Sequence, residues 1–311
     1  MKALKNILLY CSCFSLFMIS CAKKDDTSSS SSSSATTDNT STSSDNTTSS
    51  FSVSEITQTT GNGYKIGSFV VPSNGLSFTL SIFSDNNSLV YFASLTDPDA
   101  SNLLDNTSTP NIYAQTSGFG ALSYGGGSML VPYSSSFSAK AGTWSFIASN
   151  NDRVYLGLRT GSTPSSTTIS IQPYITGTTW SASDISAALT VMSNIYSTNG
   201  ITLTIKDTIT ISESQYSTIS SSFSNSTTSA LISQGSTDTV NLFFVEDQLS
   251  GESAAYGVSG GLPGPTGIAS SWNGVLNFLT AHATGTTLNT QLLGETAAHE
   301  MGHWLGLIPH K

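Results

Sequence analysis

Near the end of the chain, in HEMGHWLGLIPHK (299–311), a glutamate follows the first of two closely spaced histidines. His299 and His303 stand four residues apart, so on a helix both imidazoles leave one face about a turn from each other. Both can then reach a single Zn2+ at ~2.0–2.1 Å. Glu300 is placed to act as general base, taking a proton from zinc-bound water, whose pKa the metal lowers towards ~7. Water would attack a peptide carbonyl polarised by the same ion, and Glu300 would return the proton to the leaving amine. A chance HExxH is rare in a chain with four histidines, and this one falls on a plausible helix. The bland alternative is an exposed helix that carries a His pair by accident.

The flanking residues narrow the reading. HEMGHWLGL resembles the HExGHWLGLxH signature of pappalysin-like metzincins, a family of secreted zinc endopeptidases; His299, Glu300, Gly302, His303, Trp304, Leu305, Gly306 and Leu307 all match. Gly306 has a physical reason to be there: without a Cβ it can take the left-handed conformation that ends the helix and turns the chain back. The resemblance implies a third zinc ligand three residues beyond that glycine. Pro309 occupies the slot, and His310 comes one place later as a displaced candidate ligand. It further implies a lower subdomain with a methionine-bearing turn beyond the third histidine. The expectation is therefore a metzincin-like (zincin) catalytic domain of α+β class, upper subdomain only, from a truncated or frameshifted coding sequence and short of a full active site. Glu295, one turn before His299, is a candidate to orient it or simply a solvated helix residue. His282 reads as a loop residue rather than a ligand.

The elements that must position this helix lie in residues 173–311. Ser181 followed by Asp184 predicts a helix start, and Ile185, Leu189, Met192 and Ile195 recur at helical spacing until Asn199-Gly200 stops them. ITLTIKDTITI (201–211) alternates as a strand, a weak helix is expected over 213–222, and TVNLFFVEDQL (239–249) is apolar on both faces, as in a central strand. A Gly/Pro-rich stretch and the short strand GVLNFL follow, and Asn289 or Thr290 caps the closing helix.

Residues 51–172 instead show period two. In LSFTLSIF, Phe78, Leu80 and Ile82 alternate with Ser77, Thr79 and Ser81, which predicts one buried and one wet face. YKIGSFVV, LVYFASL, TWSFIAS, RVYLGLR and TTISIQ (167–172) behave alike, with Pro72-Ser73-Asn74-Gly75, Asp85-Asn86-Asn87, Asp97-Pro98-Asp99 and Ser149-Asn150-Asn151-Asp152 as turns. Short strands at this spacing predict an antiparallel β-sandwich, similar to the prepeptidase domains that accompany secreted bacterial proteases. Asp97 and Asp99 belong to a solvated turn, with calcium binding as the lesser alternative.

Before that domain, Lys2 and Lys5 precede an apolar run from Ile7 to Ile19 that is short for a membrane span. Met18-Ile19-Ser20-Cys21 resembles a bacterial lipobox, implying a signal peptide over 1–20 and lipidation of Cys21. The Ser/Thr-rich stretch 21–50 lacks apolar residues to bury and reads as a disordered tether. All three cysteines fall within the first 21 positions, so a disulfide framework or cysteine zinc site is excluded from the rest. The formal charge of −9, with only 9% charged residues, argues against nucleic-acid binding. Together these features point to a zinc metalloendopeptidase anchored in a bacterial cell envelope, with a protein or peptide substrate. The alternative is a non-catalytic surface lipoprotein that binds a host or matrix partner.

Overall fold

The computed structural model describes residues 49–84, 88–104, 123–132, 138–149, 153–163 and 167–307, all within one compact unit, Ser49–Lys311. The expected signal, the tether up to Thr48, Cys21, the turn Asp85-Asn86-Asn87 and His310 lie outside the described residues.

The first domain contains β1 (Ser50–Glu55), β2 (Gln58–Gly61), β3 (Tyr64–Val71), β4 (Gly75–Phe83), β5 (Phe92–Thr96), β6 (Gly126–Val131), β7 (Gly142–Ala148) and β8 (Arg153–Thr160). They form two four-stranded antiparallel sheets, ordered β1-β8-β4-β6 and β2-β3-β7-β5. Alternate residues of both sheets share one core: Phe78, Leu80 and Ile82 from β4 meet Trp144 and Phe146 from β7. Phe78 and Trp144 pack edge to face at 5.0 Å, a favoured aromatic geometry. LVYFASL does not run as one strand. Leu89–Val90 pairs with Ser123–Tyr124, and only Phe92–Thr96 joins the second sheet.

Two expectations for this domain change. Thr79 and Ser81 are buried rather than wet, because their face of β4 packs on the second domain. There Ser81 Oγ shares a hydrogen bond of 2.8 Å with Ser128 Oγ. Phe83, on the same face, meets Trp272 over Gly126, where a Cβ would lie 2.9 Å from each ring. Asp97 is neither a solvated turn residue nor open to calcium. It is buried, accepts from the Asp99 and Ser101 N–H groups, and holds the Lys140 ammonium at 2.5 Å. Burial alone would raise its pKa, but the hydrogen bonds and charge of Lys140 and the two amides outweigh it and lower the carboxyl.

The second domain begins earlier than expected. Thr167–Gln172 is not the last strand of the first domain but the first half of β9 (Thr167–Thr176), an inner strand of a new, mostly parallel sheet. The textures on either side of Pro173 belong to one element. After β9 come α1 (Ala182–Ser197), β10 (Ile201–Ile205), β11 (Ile209–Ile211), α2 (Ser226–Ile232), β12 (Val240–Val245), β13 (Gly257–Ser259), β14 (Val275–Phe278) and α3 (Thr290–Trp304). The sheet order is β10-β9-β12-β14-β13, with β11 also on β9, and only β13 runs antiparallel. β12 is buried along its whole length, as its two-sided apolar pattern requires. The helix expected over 213–222 is a single 3-10 turn, Ser214–Tyr216. A helix forms instead at α2, where Asn225 Oδ1 accepts from the Thr227 and Thr228 amides, the usual N-cap arrangement.

α1 starts where the Ser181 amide donates to the Asp184 carboxylate at 2.7 Å, and it ends before Gly200, whose φ is +73°. Its buried face, Ile185, Ala188, Leu189 and Met192, lies in one core with Leu293, Ala297, Ala298 and Met301 of α3. Contact is closest at Gly294, where a Cβ would stand 2.5 Å from the Ala188 carbonyl oxygen and 2.6 Å from Val191 Cβ. Neither atom can swing aside, so the two helices must separate to admit a methyl group. Gly294→Ala is therefore expected to destabilise the protein by ~1–3 kcal/mol, although alanine is the better helix former by ~0.8–1.0 kcal/mol. A lower urea midpoint at unchanged slope would show this; an unchanged or raised midpoint would refute it.

Candidate metal and catalytic site

α3 begins at Asn289, whose side chain accepts from the Leu292 amide at 3.1 Å, and runs for 15 residues to Trp304. Across one turn it brings His299 and His303 together, with their rings T-shaped at 4.5 Å and Nε2 of one 3.0 Å from Nε2 of the other. Two nitrogens at that separation can both lie ~2.0–2.1 Å from one Zn2+.

What aims His303 is the end of the helix. The Gly306 amide donates to the His303 carbonyl at 2.8 Å and the Leu307 amide to the Gly302 carbonyl at 2.9 Å. This crossed pair is the Schellman turn, and it needs a left-handed residue. Gly306 supplies it with φ +97°. The turn brings the Leu307 carbonyl to 2.8 Å from His303 Nδ1. A carbonyl only accepts, so Nδ1 carries the proton and Nε2 presents its lone pair to the shared point. His299, open to solvent on one side, is held below the ordinary histidine range by burial of the rest of its ring and then by the charge of His303. His299 therefore favours the neutral, metal-binding form.

The donor chemistry fits zinc, though these two imidazoles supply only part of a coordination shell. Among the described residues no group of three or more His, Cys, Asp and Glu side chains could hold a metal ion. Glu295 does not turn to His299; it accepts from Gln291 Nε2, one turn back on the same helix, at 2.7 Å. His282 is no ligand either, since both its ring nitrogens are engaged within the fold. It is 2% exposed rather than an ordinary loop residue.

Glu300 points to the sheet edge. Its Cγ lies where a Gly257 side chain would be, 2.8 Å from the position of a Cβ. Burial pushes its carboxyl up to about 7, against an opposing hydrogen bond from the Ser259 backbone. A partly buried carboxyl whose pKa is raised by desolvation, one residue from a converging imidazole pair, has the properties of a general base.

Residues 182–310 match the family described as metallo-peptidase family M12B, reprolysin-like. The match supports a metallopeptidase. It begins with α1 and includes the whole of α3, so it takes in both the helix pair and the histidines it positions. No curated protein matches the chain.

The residues that hold α3 in place carried no separate signal in the sequence. Tyr196 is buried on α1 and donates its hydroxyl to the Ala298 carbonyl at 3.0 Å, immediately before His299. Gly257 and Gly294 are two of many glycines, and nothing local marks them. Thr296 could have been noticed, because it lies one turn before Glu300.

Gly306 makes the dependence on the helix end testable. Gly306→Ala has room for its methyl group, the nearest atoms being 3.5 Å or more away, so it acts through backbone conformation alone. Loss of the Leu307 carbonyl from His303 is expected to weaken zinc binding by ~10–100-fold. Competition with a chromogenic chelator measures it, and equal affinities would remove the Schellman turn from the account.

Proposed function

We propose that the chain is a zinc-dependent endopeptidase of metzincin type, and that the convergence of His299 and His303 Nε2 beside the partly buried carboxyl of Glu300 carries this reading. The HEMGHWLGL run and its similarity to the pappalysin-like signature support a peptide substrate. His299 and His303 would hold the zinc, with His310 as candidate third ligand. When bound there, zinc supplies a Lewis acid that polarises the scissile carbonyl and acidifies water.

The chain's own groups do the remaining work. β13 pairs with β14 alone among the described residues, so its other edge has no strand partner there and offers the Gly257 backbone beside the Ser259 amide that holds Glu300. An extended peptide can add to that edge through main-chain hydrogen bonds, which places its carbonyls beside Glu300. The Glu300 carboxylate accepts a proton from the attacking water and delivers it to the departing amide nitrogen. Gly257 lets it stand close to the substrate strand, and the Ser259 amide keeps the carboxylate oriented. The two antiparallel sheets of the first domain act as a prepeptidase-like sandwich, without chemistry of their own.

The carboxylate must be ionised to act. Its pKa is raised by burial, so the ionised fraction grows as pH rises through about 7 in the metal-free site. A bound dication draws that value down. The acid limb of kcat/KM is therefore expected at or below neutrality, with activity falling as pH falls. Glu300→Gln should lower kcat by ~10²–10⁴-fold while the protein still holds zinc. Purified chain that holds no zinc and cleaves no peptide in a library would return the reading to a non-catalytic surface protein.

We also propose that Cys21 carries a lipid that anchors the chain to the cell envelope, with the Ser/Thr-rich stretch as spacer. The lipobox-like Met18-Ile19-Ser20-Cys21 supports it. Cys21→Ser should move the protein from the membrane fraction to the soluble fraction and abolish incorporation of labelled fatty acid. Labelling that survives the substitution would refute Cys21 as the site.

A further inference from the structure

We propose that His282 is a positioning residue for Glu300, acting through the hydroxyl of Thr296. The inference rests on the peptidase reading above and adds to it a residue that the HExxH pattern does not contain.

His282 closes the short 3-10 turn Thr280–His282 that follows β14. Nδ1 lies 2.7 Å from the Phe278 carbonyl oxygen, which can only accept, so Nδ1 carries the proton. Nε2 therefore presents a lone pair, and Thr296 Oγ1 donates to it at 2.9 Å. Burial lowers the basicity of His282 and outweighs the Phe278 hydrogen bond, which keeps the ring neutral and this direction of donation in place. Tyr256 closes the other side with an edge contact at 5.1 Å. A threonine inside a helix ordinarily returns its hydroxyl to a carbonyl one turn back. Here the hydroxyl reaches outside the helix to a residue carried by the sheet.

Thr296 and Glu300 stand four residues apart on one face of α3 and fill one slot together. A Cβ on Gly257 would lie 3.0 Å from Thr296 Cγ2 and 2.8 Å from Glu300 Cγ. Whatever sets the height of Thr296 over β13 therefore sets the height of Glu300. Most of the grip on α3 is apolar, through Leu293, Ala297, Ala298 and Met301, and apolar contact is non-directional. It resists separation more than sliding. Directional bonds remove that freedom: Tyr196 to the Ala298 carbonyl from α1 and the Asn289 and Gly264 amides at the two helix ends, with Thr296 to His282 the one that acts beside Glu300 on the sheet side. Displacement of a catalytic group by about 1 Å can cost ~10²-fold in rate, so even partial slippage would be visible in turnover.

The test uses the full chain loaded with zinc and a fluorogenic peptide that the wild type cleaves. Thr296→Val and His282→Phe are each expected to lower kcat roughly 10-fold or more, with KM within about 2-fold and zinc content unchanged. Thr296→Ser keeps the hydroxyl and should restore at least about half of kcat. The double variant should be no slower than the worse single variant, because both remove one bond. A merely structural role predicts a different result: melting temperatures fall, while kcat well below them stays at the wild-type value. That result, or losses that multiply in the double variant, would overturn the proposal. Should His282→Phe fail to fold, the Thr296→Val and Thr296→Ser pair decides alone. Glu300→Gln separates the two levels of inference. If it is inactive while Thr296→Val turns over normally, only the positioning role of His282 falls. If the wild type is no faster than Glu300→Gln, the peptidase reading falls and the positioning role with it.

Discussion

At Gly294 the backbone of α3 comes so near to α1 that a single Cβ would lie 2.5 Å from the Ala188 carbonyl oxygen. That approach sets the geometry of the second domain. With α1 and α3 this close, Leu293, Ala297 and Met301 fall into the same core as Ile185, Leu189 and Met192, and that core reaches the sheet at Val240, Leu242 and Val275. Helices pack at distances that depend on the side chains at the point of contact. A larger residue at this point would move the face that carries the two histidines. The site is thus built on a contact from which a side chain has been removed.

Close packing fixes how far α3 stands from its neighbours, and polar bonds complete its register and orientation. Tyr196 reaches from α1 to the Ala298 carbonyl, and Thr296 connects α3 to the sheet side through His282. At the far end, the Gly306 turn folds the Leu307 carbonyl back onto His303. Each bond acts on a residue within one turn of the histidine pair or of Glu300. In a packed interior such bonds are worth only ~0.5–1.5 kcal/mol each in stability. Their directionality matters more here, because it converts a well-packed helix into one with a single height and rotation.

The first domain contributes to this arrangement through packing. Its sheet packs through Phe83 and Gly126 against Trp272, and Phe51 and Val53 lie on Gly267. Both contacts fall in the Gly/Pro-rich segment between β13 and β14. The same segment lies over the end of α3: the Gly264 amide donates to the Trp304 carbonyl at 2.8 Å, and its backbone rests on the Trp304 ring. Leu130 of β6 and Pro263 are the nearest atoms to the open side of Gly306. The β-rich domain, the glycine-rich segment and the helix end therefore form one packed assembly. This explains why Thr79 and Ser81, which alternate as a solvent face should, are buried.

The sequence by itself determined what depends on neighbours along the chain. The four-residue spacing of His299 and His303 puts both rings on one face of any helix, and Gly306 marks that helix's end, because helix geometry and capping are local. The continuous apolar run at Val240–Val245 similarly marks an inner strand without reference to anything distant. Tertiary structure decided the rest. Thr167–Gln172 alternates like the strands before it, but pairs with β10 and β12, which lie far along the chain. Asp97 sits in a turn sequence, yet Lys140, 43 residues away, makes it the buried partner of a half-exposed ion pair. His282 looks like any loop histidine until β14 and α3 close on its two nitrogens. Gly257 and Gly294 gain their meaning only from the side chains that approach them. In each case the deciding partner is remote in sequence, and local pattern carries no information about which remote residue will fill the space beside it.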